Sequence, residues 1–296
     1  MSPIRGMGVL LATGAGWGLT QPLSKITVSE GYLPLGLIFW QLVIGALGMG
    51  IFRLATGKSI ALPMRHWAFF LMIALLGTVI PNSFFYRAVA YLPSGVMSVV
   101  ISLVPIFAFP IALMLGIDRF SWLRLCGLLA GLGGVVILAG PDTLPDASMV
   151  WWLPVAMVAP LCYGLEGNIV SKWGMHGLGP GHVLFGASVM GALVALPLAI
   201  GSGQFIDPRT DWNAPEFALV GSALIHIVVY TAYVWLVNRA GSVFAAQVSY
   251  VVTGTGVLWA MLLLGERYSM WVWAALALIV AGMFLVQPRT QDRVAT

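Results

Sequence analysis

Glu166 is the only carboxylate in the stretch between Asp146 and Lys172, and it sits about six residues before that lysine. If the surroundings are lipid and helix, a carboxylate there is costly and points to function. It can bind a substrate ammonium, or it can take up and release a proton. It can also serve structure alone, by pairing with Lys25, His226 or a backbone group. Other groups with useful chemistry recur at helical spacing. His226, Tyr230 and Tyr233 fall at i, i+4 and i+7, which places them on one helix face. Gln247 and Tyr250 follow, with Gly254 on the same side. Asn82 and Tyr86 form a second pair, and Ser98 and Ser102 a third, one turn before Pro105. Trp17 and Gln21 lie beside Pro22, and Tyr163 precedes Glu166 by three positions. The spacing selects these thirteen side chains as candidate substrate-binding residues. The two serines could instead bond back to their own helix.

These groups need elements to hold them, and the composition says which. Only 8% of the 296 residues are charged and 60% are hydrophobic. Soluble domains carry roughly 25% charged residues, so the outer face of this chain must meet lipid. Asp, Glu, Lys and Arg are absent from 6–24, 31–52, 66–86, 88–117, 125–141, 147–165, 173–206, 217–238, 240–265 and 268–288. A membrane-spanning helix takes about 20 residues. Trimming the turns Leu92-Pro93-Ser94-Gly95 and Gly177-Leu178-Gly179-Pro180-Gly181 leaves ten helix-length segments. The runs lack the period-two alternation of a transmembrane barrel. The expected fold is therefore all-α and integral to the membrane, with ten transmembrane helices. Arg5 ahead of the first apolar run has the form of a signal peptide, but no small-x-small cleavage site follows convincingly, so the segment reads as a retained helix. Cys126 and Cys162 lie inside spans and read as packing residues.

Threading ten helices from a cytoplasmic N-terminus puts ten of the fourteen basic residues on the cytoplasmic side. Lys25, Arg87, Arg209 and Arg267 fall outside. The positive-inside rule favours this orientation, with both termini cytoplasmic in the inner (plasma) membrane.

The sequence also matches itself at an offset of about 146–148 residues. Trp17-Gly18-Leu19 aligns with Tyr163-Gly164-Leu165, and Ser24-Lys25 with Ser171-Lys172. Asp118-Arg119-Phe120-Ser121 aligns with Glu266-Arg267-Tyr268-Ser269. A five-helix unit has an odd number of crossings, so its second copy must be inverted. The expected halves are 1–142 and 143–296, with a substrate site between them near the midplane.

The chain resembles the drug/metabolite transporter superfamily, of the EamA type. The resemblance rests on Trp17-Gly18 followed by Lys25, on Tyr86-Arg87-Ala88-Val89-Ala90-Tyr91-Leu92-Pro93-Ser94-Gly95, on Pro105, on Asp118, and on Gly265-Glu266-Arg267. It covers essentially the whole chain. Two positions depart from it, because Gln41 stands where a basic residue is common and Asp118 where Glu is common. The resemblance implies export of amino acids or other small metabolites.

Other classes fit poorly. No His-Glu-x-x-His, intramembrane aspartyl pair or Walker motif occurs, so neither catalysis nor ATP-driven transport has its residues here. No cofactor or metal is expected, nor any nucleic-acid partner. The expected partners are a small-molecule substrate, membrane lipid and, as a coupling ion, the proton. Monomer and homodimer both fit. The expected function is a secondary transporter of an amino acid or related amine-bearing compound, working by alternating access as an exporter. Uptake of a metabolite or vitamin-like solute, and a non-transporting scaffold, are the alternatives. Helices 2, 5, 7 and 10 read as more uniformly apolar and belong at the periphery or serve as braces.

Overall fold

A computed structural model describes residues 3–138, 144–209, 211–240 and 248–286. Its described residues form ten helical rods in chain order: α1 Pro3–Thr27, α2 Pro34–Ala55, α3 Met64–Tyr91, α4 Ser94–Met114, α5 Trp122–Leu138, α6 Ala147–Trp173, α7 Pro180–Gly201, α8 Ala214–Ala240, α9 Val248–Leu264 and α10 Met270–Val286. Six stretches are long and apolar enough to cross a bilayer: α2, α3, α4, α6, α7 and Ala214–Tyr233 of α8. Three more are apolar but shorter: Trp122–Leu138, Val248–Leu264 and Met270–Leu285. At 25 residues α1 has the length, but its polar face, from Thr13 to Lys25, dilutes its hydropathy.

The sequence punctuates these helices in the expected way. Proline opens α2 and α7 at the first helical positions, where a missing N–H leaves nothing unsatisfied. Gly116 (φ 69°) and Gly265 (φ 65°) close α4 and α9 in the left-handed region, which a side chain would strain. Asp146 starts α6: its carboxylate accepts from the Ser148 N–H at 2.7 Å, and that bonding holds it below the usual carboxylate range.

Helix neighbours repeat when the two halves are exchanged. α1 packs on α8 and α9, and α6, its counterpart, packs on α3 and α4. α2 contacts α8, while α7 contacts α3. The pairs α2/α7, α4/α9 and α5/α10 each join a helix to its own counterpart. Lipid offers no hydrophobic drive for association, so small residues must permit close approach. On α5 and α10 they do: a Cβ at Gly282 would lie 2.5 Å from the Gly127 carbonyl oxygen and 3.0 Å from the Gly131 nitrogen. On α1 and α9, a Cβ at Gly18 would lie 2.8 Å from the Gly256 nitrogen.

Among the described residues, α3 and α4 are interrupted within their lengths, and both pack on α6. α3 carries a π-helical turn over Leu75–Val79. α4 breaks at Ser102 and Leu103, just ahead of Pro105, into Ser94–Ile101 and Val104–Met114. π-turns inside α-helices often mark functional positions.

Candidate functional site

Glu166 lies at the fourteenth position of the 21-residue stretch Leu153–Trp173 of α6, well inside the span. Its carboxylate rests on the π-helical turn of α3. A Cβ built at Gly77 would fall 2.8 Å from both of its oxygens. Among the described residues no hydrogen bond or ion pair reaches those oxygens. Tyr163 and Tyr230 lie within Coulombic range of it, from α6 itself and from α8. The carboxylate therefore lies near one member of each of two polar groups of side chains.

The first group joins α1 to α8. Trp17 Nε1 donates to His226 Nδ1 at 3.2 Å. The Trp17 ring lies 5.4 Å from that of Tyr233, and the His226 ring stacks at 6.1 Å on Tyr230. An indole N–H can only donate, so Nδ1 must present its lone pair and the remaining proton sits on Nε2. In this arrangement the imidazole is neutral.

The second group joins α2, α3 and α6. Asn82 Nδ2 donates to Gln41 Oε1 at 2.9 Å, and the Tyr86 hydroxyl reaches the same oxygen at 3.4 Å. The Tyr163 hydroxyl donates to Asn82 Oδ1 at 3.2 Å. Gln41 thus ties α2 to this group, a contact that the reading of α2 as a peripheral or bracing helix did not single out. A single polar residue gives no period to detect. Its one signal was that a basic residue is common at this position in the family.

The remaining sequence-selected residues fall elsewhere. Ser98 and Ser102 are buried and turn back on their own helix, toward Ser94 O (3.2 Å) and Val99 O (2.5 Å). Gln21 is buried against Gly256, and its Oε1 has no hydrogen-bond partner among the described residues. Tyr250 stacks on the exposed Phe284 of α10 at 4.4 Å. Gln247 lies outside the described residues.

The charged residues that align in the two halves act at helix ends. Lys25 Nζ donates to the carbonyls of Val89 (2.7 Å), Ala90 (3.0 Å) and Leu92 (3.1 Å), which closes the end of α3. Lys172 does the same for α4 through Leu115 O at 2.8 Å. Glu266 accepts from the Ser94 and Gly95 amides at 2.9 and 3.2 Å, and from the Tyr268 hydroxyl, so it caps the N-terminus of α4. Asp118 pairs with Arg124. Lys25 is therefore not the partner of Glu166.

A polytopic helical fold with helix neighbours repeated between its halves, and a lone carboxylate among central aromatic and amide side chains, has the build of a membrane carrier. The EamA-like transporter family matches this chain twice, over residues 4–140 and 150–287. The chain belongs to that family and is a multi-pass membrane transporter of the EamA type. It is 26% identical over 298 residues to the uncharacterized inner membrane transporter YedA of Escherichia coli K12, covering 94% of this chain and 89% of that one. It is 21% identical to the uncharacterized transporter YoaV of Bacillus subtilis 168 (91% and 92% covered), and 24% identical to YvbV of the same strain (94% and 90%). A solved crystal structure shares the fold at a TM-score of 0.64 and 20% identity, over 94% of this chain and 97% of that one.

Proposed function

We propose that this transporter exports an amino acid or related amine-bearing metabolite across the inner membrane by alternating access, exchanging it for protons at Glu166. The observation that carries this reading is the Glu166 carboxylate, which lies inside the span with no donor or cation bonded to it among the described residues. An ion left so is costly, and a substrate ammonium or a proton would relieve that cost. If the two compete for one carboxylate, inward movement of protons drives outward movement of amine.

The halves 1–142 and 143–296 would be inverted copies that rock about the centre. The exchange of helix neighbours between halves supports this, and so does the odd number of helices in each. The break in α4 and the π-turn in α3 are places where these rods could bend. Both termini would be cytoplasmic, as the distribution of Lys and Arg favours. Trp17, Tyr230, Tyr163, Asn82 and Gln41 would line the pathway beside Glu166.

The test is flux in proteoliposomes loaded with candidate solutes under an imposed pH gradient. Accumulation outside when the exterior is acidic supports proton-coupled export. Movement indifferent to the gradient would leave facilitated diffusion, and no flux of any solute would favour a scaffold.

A further inference from the structure

We propose that the substrate is an amine without a free carboxylate, and that the site rejects the corresponding amino acid. This rests on the transport reading above and narrows it.

An amino acid brings two opposite charges, and both must leave water to enter a site inside the span. Burying a charge without a partner is costly, so a carboxylate needs a cation or a set of free donors. Glu166 supplies only the complement of the ammonium.

Among the described residues no cation is placed to complement the carboxylate. The stretches 66–86, 147–165, 217–238 and 240–265, which include the central parts of α3, α6, α8 and α9, contain no Lys or Arg. Lys25 is held by three carbonyls and Lys172 by one. Arg53 donates to Ser59 O, and Arg124 pairs with Asp118. Arg87 is exposed, and Arg239 lies thirteen residues beyond His226, about 20 Å along α8 at 1.5 Å per residue. Among the described residues, His226 is the one central side chain that could become cationic. Trp17 holds its Nδ1 as an acceptor, which keeps the ring neutral.

A carboxylate can also be bound by the open N–H groups of a broken helix. Several amides at the break in α4 are already engaged. The Leu103 N–H donates to Val100 O, and the Ile106 and Phe107 N–H groups both donate to Leu103 O. Pro105 has no N–H to offer. One Asn82 N–H donates to Gln41, so the donors left in that group are neutral amides.

What does surround Glu166 suits a cation. Tyr163 and Tyr230 lie within its Coulombic range, and the Trp17 and Tyr233 rings extend the aromatic wall from Tyr230 and His226. Aromatic faces attract ammonium groups, and they offer a carboxylate nothing comparable. One anion beside aromatic rings, with only neutral donors and no cation near it among the described residues, suits a monocation better than a zwitterion.

The experiment compares three forms of one side chain: tyrosine, tyrosine methyl ester and tyramine, with the phenylalanine and leucine series beside them. Each is tested for binding to the purified full-length protein by thermal shift and for flux in proteoliposomes. The amine and the ester should bind at least about 10-fold more tightly than the free amino acid, since only the free acid brings an unpaired anion. Glu166→Gln should remove that preference while the protein stays folded. Free amino acids bound as well as their amines would overturn the proposal and leave the transport reading intact. Silence of every member in folded protein would also overturn it. The transport reading would then fail only if a wider solute screen gave no flux.

Discussion

Gly77→Ala separates packing from function at the centre of this protein, because the two effects should have opposite signs. The new Cβ would stand 2.8 Å from each Glu166 oxygen, and ordinary contact begins at 3.4 Å. The carboxylate must retreat by about 0.6 Å, which a side-chain tip can do without moving backbone. Alanine lacks glycine's conformational freedom and favours helix by about 0.5–1 kcal/mol. Folded yield and apparent melting temperature should therefore hold or rise slightly. Affinity should fall, because a charged hydrogen bond worth about 1.5–3 kcal/mol is displaced from its best geometry. Losing roughly a third to a half of that corresponds to about 2- to 10-fold. The assay is substrate competition at several pH values, with fluorescence-detected size exclusion to follow folding. Unchanged affinity and pH response in a folded Gly77→Ala protein would show that the π-turn does not position Glu166. A fall in melting temperature larger than the fall in affinity would show that the turn serves packing.

Other perturbations test the frame around the site. Lys25→Met strands the carbonyls of Val89, Ala90 and Leu92, and should cost about 1.5–3 kcal/mol of stability, read as a lower apparent melting temperature with affinity unchanged. Glu266→Ala uncaps α4 at Ser94 and Gly95 and should cost about 0.5–2 kcal/mol, visible in the same melt. Gly282→Val forces a side chain against the Gly127 carbonyl, so the α5/α10 seam must open; yield in detergent should drop well before the affinity of the surviving protein changes. A melt equal to wild type in any of these variants would remove the assigned contact from the stability of the fold.

The helices were legible because lipid imposes a simple rule: a span excludes charge, and the charge-free runs fall on the ten rods. The turns Leu92–Gly95 and Gly177–Gly181 carried the signals needed to divide the two long runs, and the helices do separate there. The repeat was legible at Trp17/Tyr163 and Asp118/Glu266 because each pair keeps its order and offset. The interior was less so. Periodicity shows that Trp17 and His226 lie on polar faces, and it cannot show that the indole donates to the imidazole. Gln41 has no periodic companion on α2, and its bond to Asn82 fixes its place. The π-turn at Leu75–Val79 leaves no mark in a run of apolar residues, and Gly77 reads as one more small residue until Glu166 is seen resting on it. Tyr250 shares a polar-looking face with Gly254, yet packs on Phe284, because rotation about a helix axis is set by its neighbours.

The most direct test of the central claim is substrate flux through Glu166→Gln in proteoliposomes, measured with and without an imposed pH gradient. The substitution keeps shape and removes ionisation. If Glu166 binds the ammonium and exchanges it for a proton, gradient-driven flux should be lost and apparent affinity should weaken by about 10- to 150-fold, the equivalent of one charged contact. Yield and melting temperature should stay near wild type, since no hydrogen bond to the carboxylate is broken among the described residues. Wild-type flux, affinity and pH response in well-folded Glu166→Gln protein would contradict the account.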